Sequence, residues 1–244
     1  RTVTNDKPKD FKSWQGGPPK PVVLPSSEGH QRFTWDFRRD NLPAVDNVFV
    51  FGDYRGSRVS PGTYVLRLSL EGETVEQSVQ ILANPNLEVK TESYAEQQKM
   101  LEDLAGMVEE IHNSVNQMRS AKKQLNGYKS LLEDNETAEE LLQLGDSLIG
   151  RIDSWERNLI QPDQKTFQDV INFNNQLNAE IMYLRGFVDN ADPELTQGSR
   201  ERFKDLQDDW QVYLNERDAI IENEMAGYNE KFKQLNLPAI ILEE

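Results

Sequence analysis

Apolar side chains recur every three or four residues over a long stretch in the middle of the chain. Such a heptad stripe predicts one helix from about residue 94 to about residue 132, roughly 60 Å long at 1.5 Å per residue. A lone helix cannot bury this stripe, so we expect antiparallel partner helices in the sequence that follows. The stripe consists of Leu101, Leu104, Val108, Ile111, Val115, Met118 and Leu125.

Three further stripes of this kind follow, separated by short polar or proline-containing segments near residues 134, 162 and 193. Four amphipathic helices joined by short loops predict a long antiparallel four-helix bundle. Asn174 interrupts the third stripe, and a polar residue there is expected to specify helix register at some cost in stability. The apolar tail at residues 237–242 is expected to fold back onto the protein. The stripes are Leu141, Leu144, Leu148, Ile152, Trp155 and Leu159; then Phe167, Val170, Leu177, Ile181, Leu184 and Val188; then Phe203, Leu206, Trp210, Tyr213, Ile220 or Ile221, Met225, Tyr228, Phe232 and Leu235.

The period changes to two between residues 31 and 81. Phe33, Trp35 and Phe37 alternate with polar residues, residues 48–51 form a second apolar run, and two alternating runs flank a Glu-Gly-Glu turn at residues 71–73. This pattern predicts short antiparallel strands and a small Ig/fibronectin-like β-sandwich. We expect Trp35 and Tyr64 to be anchors of its core.

Composition places a boundary near Glu92. Residues 1–92 contain eight of the eleven prolines and equal numbers of acidic and basic residues, 12 of each, whereas the remainder contains 15 basic and 30 acidic residues. The sequence therefore predicts a multidomain α+β protein, with an extended Pro-rich lead-in at residues 1–29, a β-sandwich at 30–92, and a helical bundle with an apolar tail at 93–244. An acidic surface also disfavours nucleic acid and anionic lipid as partners.

The chain contains no cysteine, which excludes disulfides and thiolate metal sites but does not identify the compartment. No apolar run approaches the roughly 20 residues that a transmembrane helix needs, so we expect no membrane insertion. The sequence begins at Arg1 without a signal peptide, which suggests a processed protein or an excised fragment.

No residue pattern indicates a reaction centre. His30 and His112 lack a His, Cys or acidic neighbour at metal-ligand spacing, and adjacent carboxylates such as Glu109 and Glu110 point about 100° apart on a helix. The Asp-Asn-Ala-Asp segment at residues 189–192 has some likeness to a calcium loop but lacks the glycine and the distal glutamate of an EF-hand. We therefore predict no catalytic, cofactor-binding or metal-binding residues and no cofactor.

Several segments together resemble a bacterial family. They are the Arg-Phe-Thr-Trp-Asp-Phe-Arg strand at residues 32–38, the Pro-Gly-Thr-Tyr-Val-Leu-Arg-Leu strand at 61–68, the Asn-Ala-Asp-Pro turn at 190–193 with Thr196, and Tyr-Asn-Glu-Lys-Phe at 228–232. They are similar to the C-terminal part of secreted sortilin-type propeller proteins with BNR repeats, common in Bacteroidetes and often labelled glycosyl hydrolases. Glu194 and Leu195 before the threonine depart from the family pattern.

The resemblance implies a non-catalytic structural or interaction region at the C-terminus of a secreted, periplasmic or cell-envelope protein. Its partner would be the protein's own N-terminal propeller, which is absent from this sequence, or another protein. One alternative is a stand-alone module that binds a basic protein through its acidic helices. Another is a carbohydrate-binding module that uses an exposed aromatic such as Trp14, and the weakest is an enzyme. The sequence does not predict the oligomeric state.

Overall fold

The structure is a computed structural model that describes residues 1–9 and 11–236. It is mainly helical. A β-hairpin, made of β1 (Gly62–Leu70) and β2 (Glu73–Ile81), precedes five α-helices. These are α1 (Thr91–Leu132), α2 (Glu139–Leu159), α3 (Leu177–Val188), α4 (Gln197–Ala219) and α5 (Ala226–Gln234); a π-helical turn (Ile220–Met225) joins the last two, and short 3₁₀ helices occupy Glu136–Ala138 and Phe167–Ile171.

The helix α1 follows its apolar stripe and extends over 42 residues. The helices α2 and α3 run antiparallel to it, whereas α4 and α5 run parallel to it. Contacts at two points along α1 show each direction. Lys122 and Lys129 of α1 meet Asp153 and Asp146 of α2, and Gln97 and His112 meet Val188 and Asn178 of α3. Glu96 meets Arg200 of α4, and Tyr128 meets Phe232 of α5. All seven residues of the α1 stripe are buried, because the neighbouring helices turn their own apolar side chains towards it.

The predicted β-sandwich is wrong. In the described residues, β1 and β2 form a two-stranded antiparallel sheet, and the only other β pairing is an isolated bridge between Arg38 and Arg58. The Phe33–Phe37 alternation does not form a strand; both phenylalanines are exposed, and Phe37 adopts a positive φ of 57°. A single pair of strands has no second layer, so a sandwich core cannot form.

The apolar run at residues 48–51, which was expected to form a strand of the sandwich, lies instead in a loop at residues 42–54, which packs into the helical core. Val45, Val48 and Val50 are only 1–3% exposed and belong to the same apolar cluster as the α1 stripe. Hydrophobic burial is not directional, so a loop satisfies an apolar run as well as a strand does, provided that its backbone polar groups find partners.

The helical part also departs from the regular four-helix bundle that we predicted. The third member is not one helix from Phe167: after the 3₁₀ turn the chain continues as loop, and α3 has only 12 residues. Asn174 is exposed in that loop, so the prediction that it fixes helix register is wrong. The helix α3 begins beside His112 and runs from there towards the N-terminal end of α1. The 42–54 loop contacts the next part of α1, at His112, Asn116 and Arg119. It therefore occupies space beside α1 that a longer third helix would fill.

The C-terminal helices form a nearly continuous rod from Gln197 to Gln234, interrupted by the π turn. Tyr128 of α1 and Phe232 of α5 stack edge to face at 4.9 Å, which holds the far end of the rod against α1. The expected packing of the 237–242 tail lies outside the described residues.

Candidate interaction site

The most conspicuous surface of the molecule is one face of the β1–β2 hairpin. The strands pair in a regular register, with Leu68 opposite Val75 and Tyr64 opposite Val79. Because side chains alternate between the two faces of a strand, these residues share one face with Leu66 and Leu70 of β1. We call this surface the apolar hairpin face.

Most of the apolar hairpin face lies in solvent. The exposed fractions are 46% for Leu66, 61% for Leu68, 70% for Leu70 and 68% for Val75. Scattered exposed apolar residues are common, but a contiguous row on a two-stranded sheet is not, because such a hairpin is only marginally stable without a further layer. The face is thus a candidate binding surface.

The opposite face of the hairpin is mostly polar, with the exposed Val65 as its apolar member, and several of its polar groups bond to one another. Arg67 and Glu76 form an ion pair at 2.6 Å, and the Ser69 and Thr74 hydroxyl groups lie 3.1 Å apart. The tip is acidic, with Glu71 and Glu73 on either side of Gly72. Both Glu71 and Gly72 adopt positive φ, 51° and 88°, as a two-residue type I′ turn requires.

The base of the hairpin is attached to α1 and to an aromatic cluster. The Ser60 amide N–H donates to the Gln98 side-chain oxygen at 3.2 Å, and the Tyr64 hydroxyl donates to the Ser60 carbonyl at 2.6 Å. Trp35 packs edge-on against Tyr64, with ring centroids 5.9 Å apart. Trp35 and Tyr64 are half-buried. They are therefore not anchors of a sandwich core, as we expected, but pack together at the base of the hairpin.

A polar ladder on α1 holds the 42–54 loop. His112 Nδ1, Asn116 Nδ2 and Arg119 face its backbone at 2.8, 3.0 and 3.3 Å, where the carbonyl groups of Pro43, Ala44 and Asp46 accept. The spacing i, i+4, i+7 places the three α1 residues on one helix face. Since each bond satisfies a loop carbonyl, the ladder lets irregular backbone lie against the helical core.

His112 is the member of this ladder that also contacts α3. It is completely buried, and the side-chain amide of Asn178 on α3 lies 3.1 Å from Nε2. With Nδ1–H donating to the Pro43 carbonyl, the amide N–H donates to a neutral Nε2. Burial lowers the pKa of His112, against a smaller opposing effect of the Pro43 hydrogen bond. The nearby Tyr54 ring is also buried, and burial raises the pKa of its phenol. His112 is therefore a neutral structural residue.

A second attachment comes from Arg185 of α3. Its guanidinium is 2% exposed and donates to the carbonyl of Asp53 at 2.8 Å and to that of Arg55. Burial lowers the pKa of Arg185. An adjacent ion pair between Arg38 and Asp189, at 2.9 Å, attaches the segment before the loop to the C-terminal end of α3. These groups attach the end of the loop to α3 rather than form a reactive cluster.

The other sequence candidates are dispersed. His30 is exposed just after the lead-in. The Trp14 indole N–H donates to the Val48 carbonyl at 2.8 Å, which joins the lead-in to the 42–54 loop. The Asp189 carboxylate accepts hydrogen bonds from Arg38 and from the Arg58 amide. Across residues 1–9 and 11–236, no three His, Asp or Glu side chains are grouped as metal ligands.

One open groove of about 560 Å³ lies between α1 and α4. Glu109, Glu110 and Gln117 line one wall and Arg217 the other. Two of these groups are already bonded: Glu110 accepts from the Trp210 indole at 2.9 Å, and Arg217 donates to the Ser114 hydroxyl at 2.8 Å. The Ser114 hydroxyl also lines this groove, but it accepts the hydrogen bond from Arg217, and the residues that line the groove include no histidine or lysine.

None of the described helices is both long enough and apolar enough to cross a membrane. Comparisons of the chain with protein-family models, with curated protein sequences and with solved structures found no match. The resemblance to sortilin-type propeller proteins therefore stays a prediction from the quoted motifs.

Sequence reasoning missed both attachments of the 42–54 loop. In the sequence His112 directly follows Ile111 of the apolar stripe, but its partners lie 69 and 66 residues away, on the loop and on α3. The available signal was the i, i+4, i+7 spacing of His112, Asn116 and Arg119, three polar residues able to donate hydrogen bonds. Arg185 offered no comparable signal, because its partners are backbone carbonyls, which every residue has.

Proposed function

We propose that this chain is a non-catalytic structural and interaction region at the C-terminus of a secreted, glycosyl hydrolase-like propeller protein. In this role the helical body is a rigid support, and the β1–β2 hairpin is the part that joins it to the rest of the protein. The observation that carries the proposal is the apolar hairpin face, exposed on an element whose base is hydrogen-bonded to α1 through Ser60 and Gln98.

The rigidity of the body supports this role. The α1 stripe, the 42–54 loop and residues of every helix form one continuous apolar cluster. Well-packed, hydrogen-bonded structure of this kind transmits position and force without local unfolding. A hairpin attached at its base to such a support is restricted in position there, which lowers the entropic cost of binding.

Native polypeptide size tests the proposal. Serum raised against this chain would be used to blot the cells and the culture medium of the source organism. We expect a band far above the 28.1 kDa of this chain, in a secreted or envelope fraction. A band near 28 kDa would refute the proposal and leave an acidic helical module that binds a basic partner as the best hypothesis.

A salt series on this chain separates that alternative. An acidic module that captures a basic protein through surface charge loses affinity steeply between low and physiological salt. Binding of the same partner through the apolar hairpin face would change little over this range, because burial of Leu and Val side chains is not screened by ions.

A further inference from the structure

We propose that the apolar hairpin face is covered by an apolar β-sheet face elsewhere in the same polypeptide, outside residues 1–244, with Lys or Arg side chains at its rim. This proposal rests on the proposed function and specifies the chemistry of the attachment. The β1–β2 hairpin would then be two strands of a layered structure whose second layer belongs to another part of the protein.

The size of the face argues for a tethered occupant. Strands of nine residues span about 30 Å, and two strands about 4.8 Å apart make a face about 10 Å wide, or about 300 Å². Two separate proteins that bind stably bury about 800 Å² on each partner. A tether raises the effective concentration of the occupant to the millimolar range, which makes a face of this size sufficient.

Charge argues against a second copy of the chain as the occupant. The whole chain carries a net charge of −15, and the hairpin itself carries Glu71, Glu73 and Glu76 against the single Arg67. Glu76 is paired with Arg67 on the polar face, but two hairpins packed through their apolar faces would still bring the Glu71 and Glu73 carboxylates of both copies to one interface, where like charges repel. An occupant with basic residues at its rim would instead meet the Glu71–Gly72–Glu73 tip favourably.

The two-residue repeat of the leucines in β1 indicates that the element covering the apolar hairpin face is a β-sheet. Leu66, Leu68 and Leu70 stand in a straight row with a spacing of about 6.8 Å, the two-residue repeat of a strand. A facing sheet aligned within about 30° has the same repeat and packs about 10 Å away. The outer edges of β1 and β2 make no strand pairing in the described residues, so they leave room for the wider layer.

Site-specific photo-crosslinking tests the proposal in the full-length protein in its native cells. Leu68 on the apolar hairpin face would be replaced by p-benzoylphenylalanine, and in a matched control Ser69 on the polar face would carry the same group. Both positions are exposed, and circular dichroism would check that both variants fold. After irradiation and proteolysis, mass spectrometry identifies the linked peptides.

We expect position 68 to link to an alternating apolar segment outside residues 1–244 of the same polypeptide, at least tenfold more than position 69. The linked segment should contain or adjoin Lys or Arg. Linkage to residues 1–244, to a second copy or to a separate protein would overturn the proposal, and so would the absence of a difference between positions 68 and 69.

The basic rim has its own test. The double substitution Glu71→Lys and Glu73→Lys, made with the crosslinker at position 68, should lower the crosslink yield at least threefold. The matched double substitution Glu28→Lys and Glu88→Lys, at two exposed positions outside the hairpin, should leave it unchanged. An unaltered yield in the double variant would remove the basic rim from the proposal.

The two proposals fail in distinguishable ways. A large native band together with linkage of position 68 to residues 1–244 would retain the proposed function and reject this occupant. A native band near 28 kDa together with linkage to a separate protein would reject the proposed function and, with it, a tethered occupant.

Discussion

The 42–54 loop and the β1–β2 hairpin were both predicted to form strands, but the structure places the apolar residues of the loop in the core and those of the hairpin in solvent. Both carry short apolar runs, and both were assigned to one β-sandwich. In the loop, Val48 is 2% exposed, whereas Leu68 in the hairpin is 61% exposed. The loop does not form a strand and is buried; the hairpin forms regular strands and remains in solvent.

The difference shows that the local sequence pattern can determine secondary structure without determining burial. Alternation and a Glu-Gly turn suffice to pair β1 with β2, because hairpin contacts are local in sequence. Burial needs a partner surface, and the loop finds one along α1 and α3, with the His112 ladder and Arg185 satisfying its carbonyl groups. The hairpin finds none within the described residues.

The largest expected effect comes from placing a charge in each region. Val48→Asp should lower the free energy of unfolding by about 3–5 kcal/mol, because the buried carboxylate would have no partner. Leu68→Asp should change it by at most about 0.5 kcal/mol. Urea denaturation followed by far-ultraviolet circular dichroism measures both, and equal losses would show that the hairpin face is packed in the isolated chain.

A pair of arginine substitutions sharpens the comparison further. Arg185→Met should cost about 2–3 kcal/mol, because the carbonyls of Asp53 and Arg55 lose their buried donor. Arg67→Met on the hairpin, which breaks the exposed ion pair with Glu76, should cost at most about 0.5 kcal/mol. The same denaturation experiment applies, and a small loss for Arg185→Met would mean that water replaces the guanidinium.

Acid should weaken the loop attachment through His112. The folded-state pKa of His112 is lowered below the ordinary value of 6.5, so the unfolded chain binds the proton more readily. Its contribution to stability is complete above about pH 6.5 and declines as the pH falls towards the folded-state pKa, by up to about 1.4 kcal/mol per pH unit.

Denaturation curves between pH 7.5 and 5.5 measure this decline. His112→Gln should flatten the slope over that range, and His30→Gln, at an exposed position, should leave it unchanged. An equal slope in all three proteins would show that His112 does not control the pH dependence.

The smallest effect concerns the hairpin turn. Glu71 adopts a positive φ of 51°, which costs about 1 kcal/mol for most residues and less for asparagine. Glu71→Asn creates the Asn-Gly pair favoured in type I′ turns and should slow amide exchange in β1 and β2 severalfold. The global free energy of unfolding should not change, because the hairpin face lies outside the core. Faster exchange in the variant would contradict the assigned turn.

Some of the fold could be predicted from the sequence because it depends on local periodicity. The α1 stripe predicted one long helix, and the alternation around residues 71–73 predicted the hairpin, both of which the structure contains. The third helix was overextended because Phe167 and Val170 match the helical spacing, although the 3₁₀ turn and the loop around Asn174 divide it from α3.

The apolar hairpin face was present in the sequence as a pattern, but its exposure was not. Alternation states which residues share a face and does not state what covers that face. The same pattern fits a buried sandwich strand and an unpartnered hairpin, so the prediction of a sandwich was wrong although the strands themselves were predicted.

By itself, the sequence determined the long helix, the hairpin and its acidic tip, and the uneven distribution of charge, since all of these follow from neighbours within a few residues. The tertiary structure alone decided that the 42–54 loop lies against α1, that His112 and Arg185 hold it, and that the hairpin projects. These outcomes depend on contacts between residues separated by 66 to 132 positions, where many pairings are sterically possible and the balance of burial and hydrogen bonding selects one.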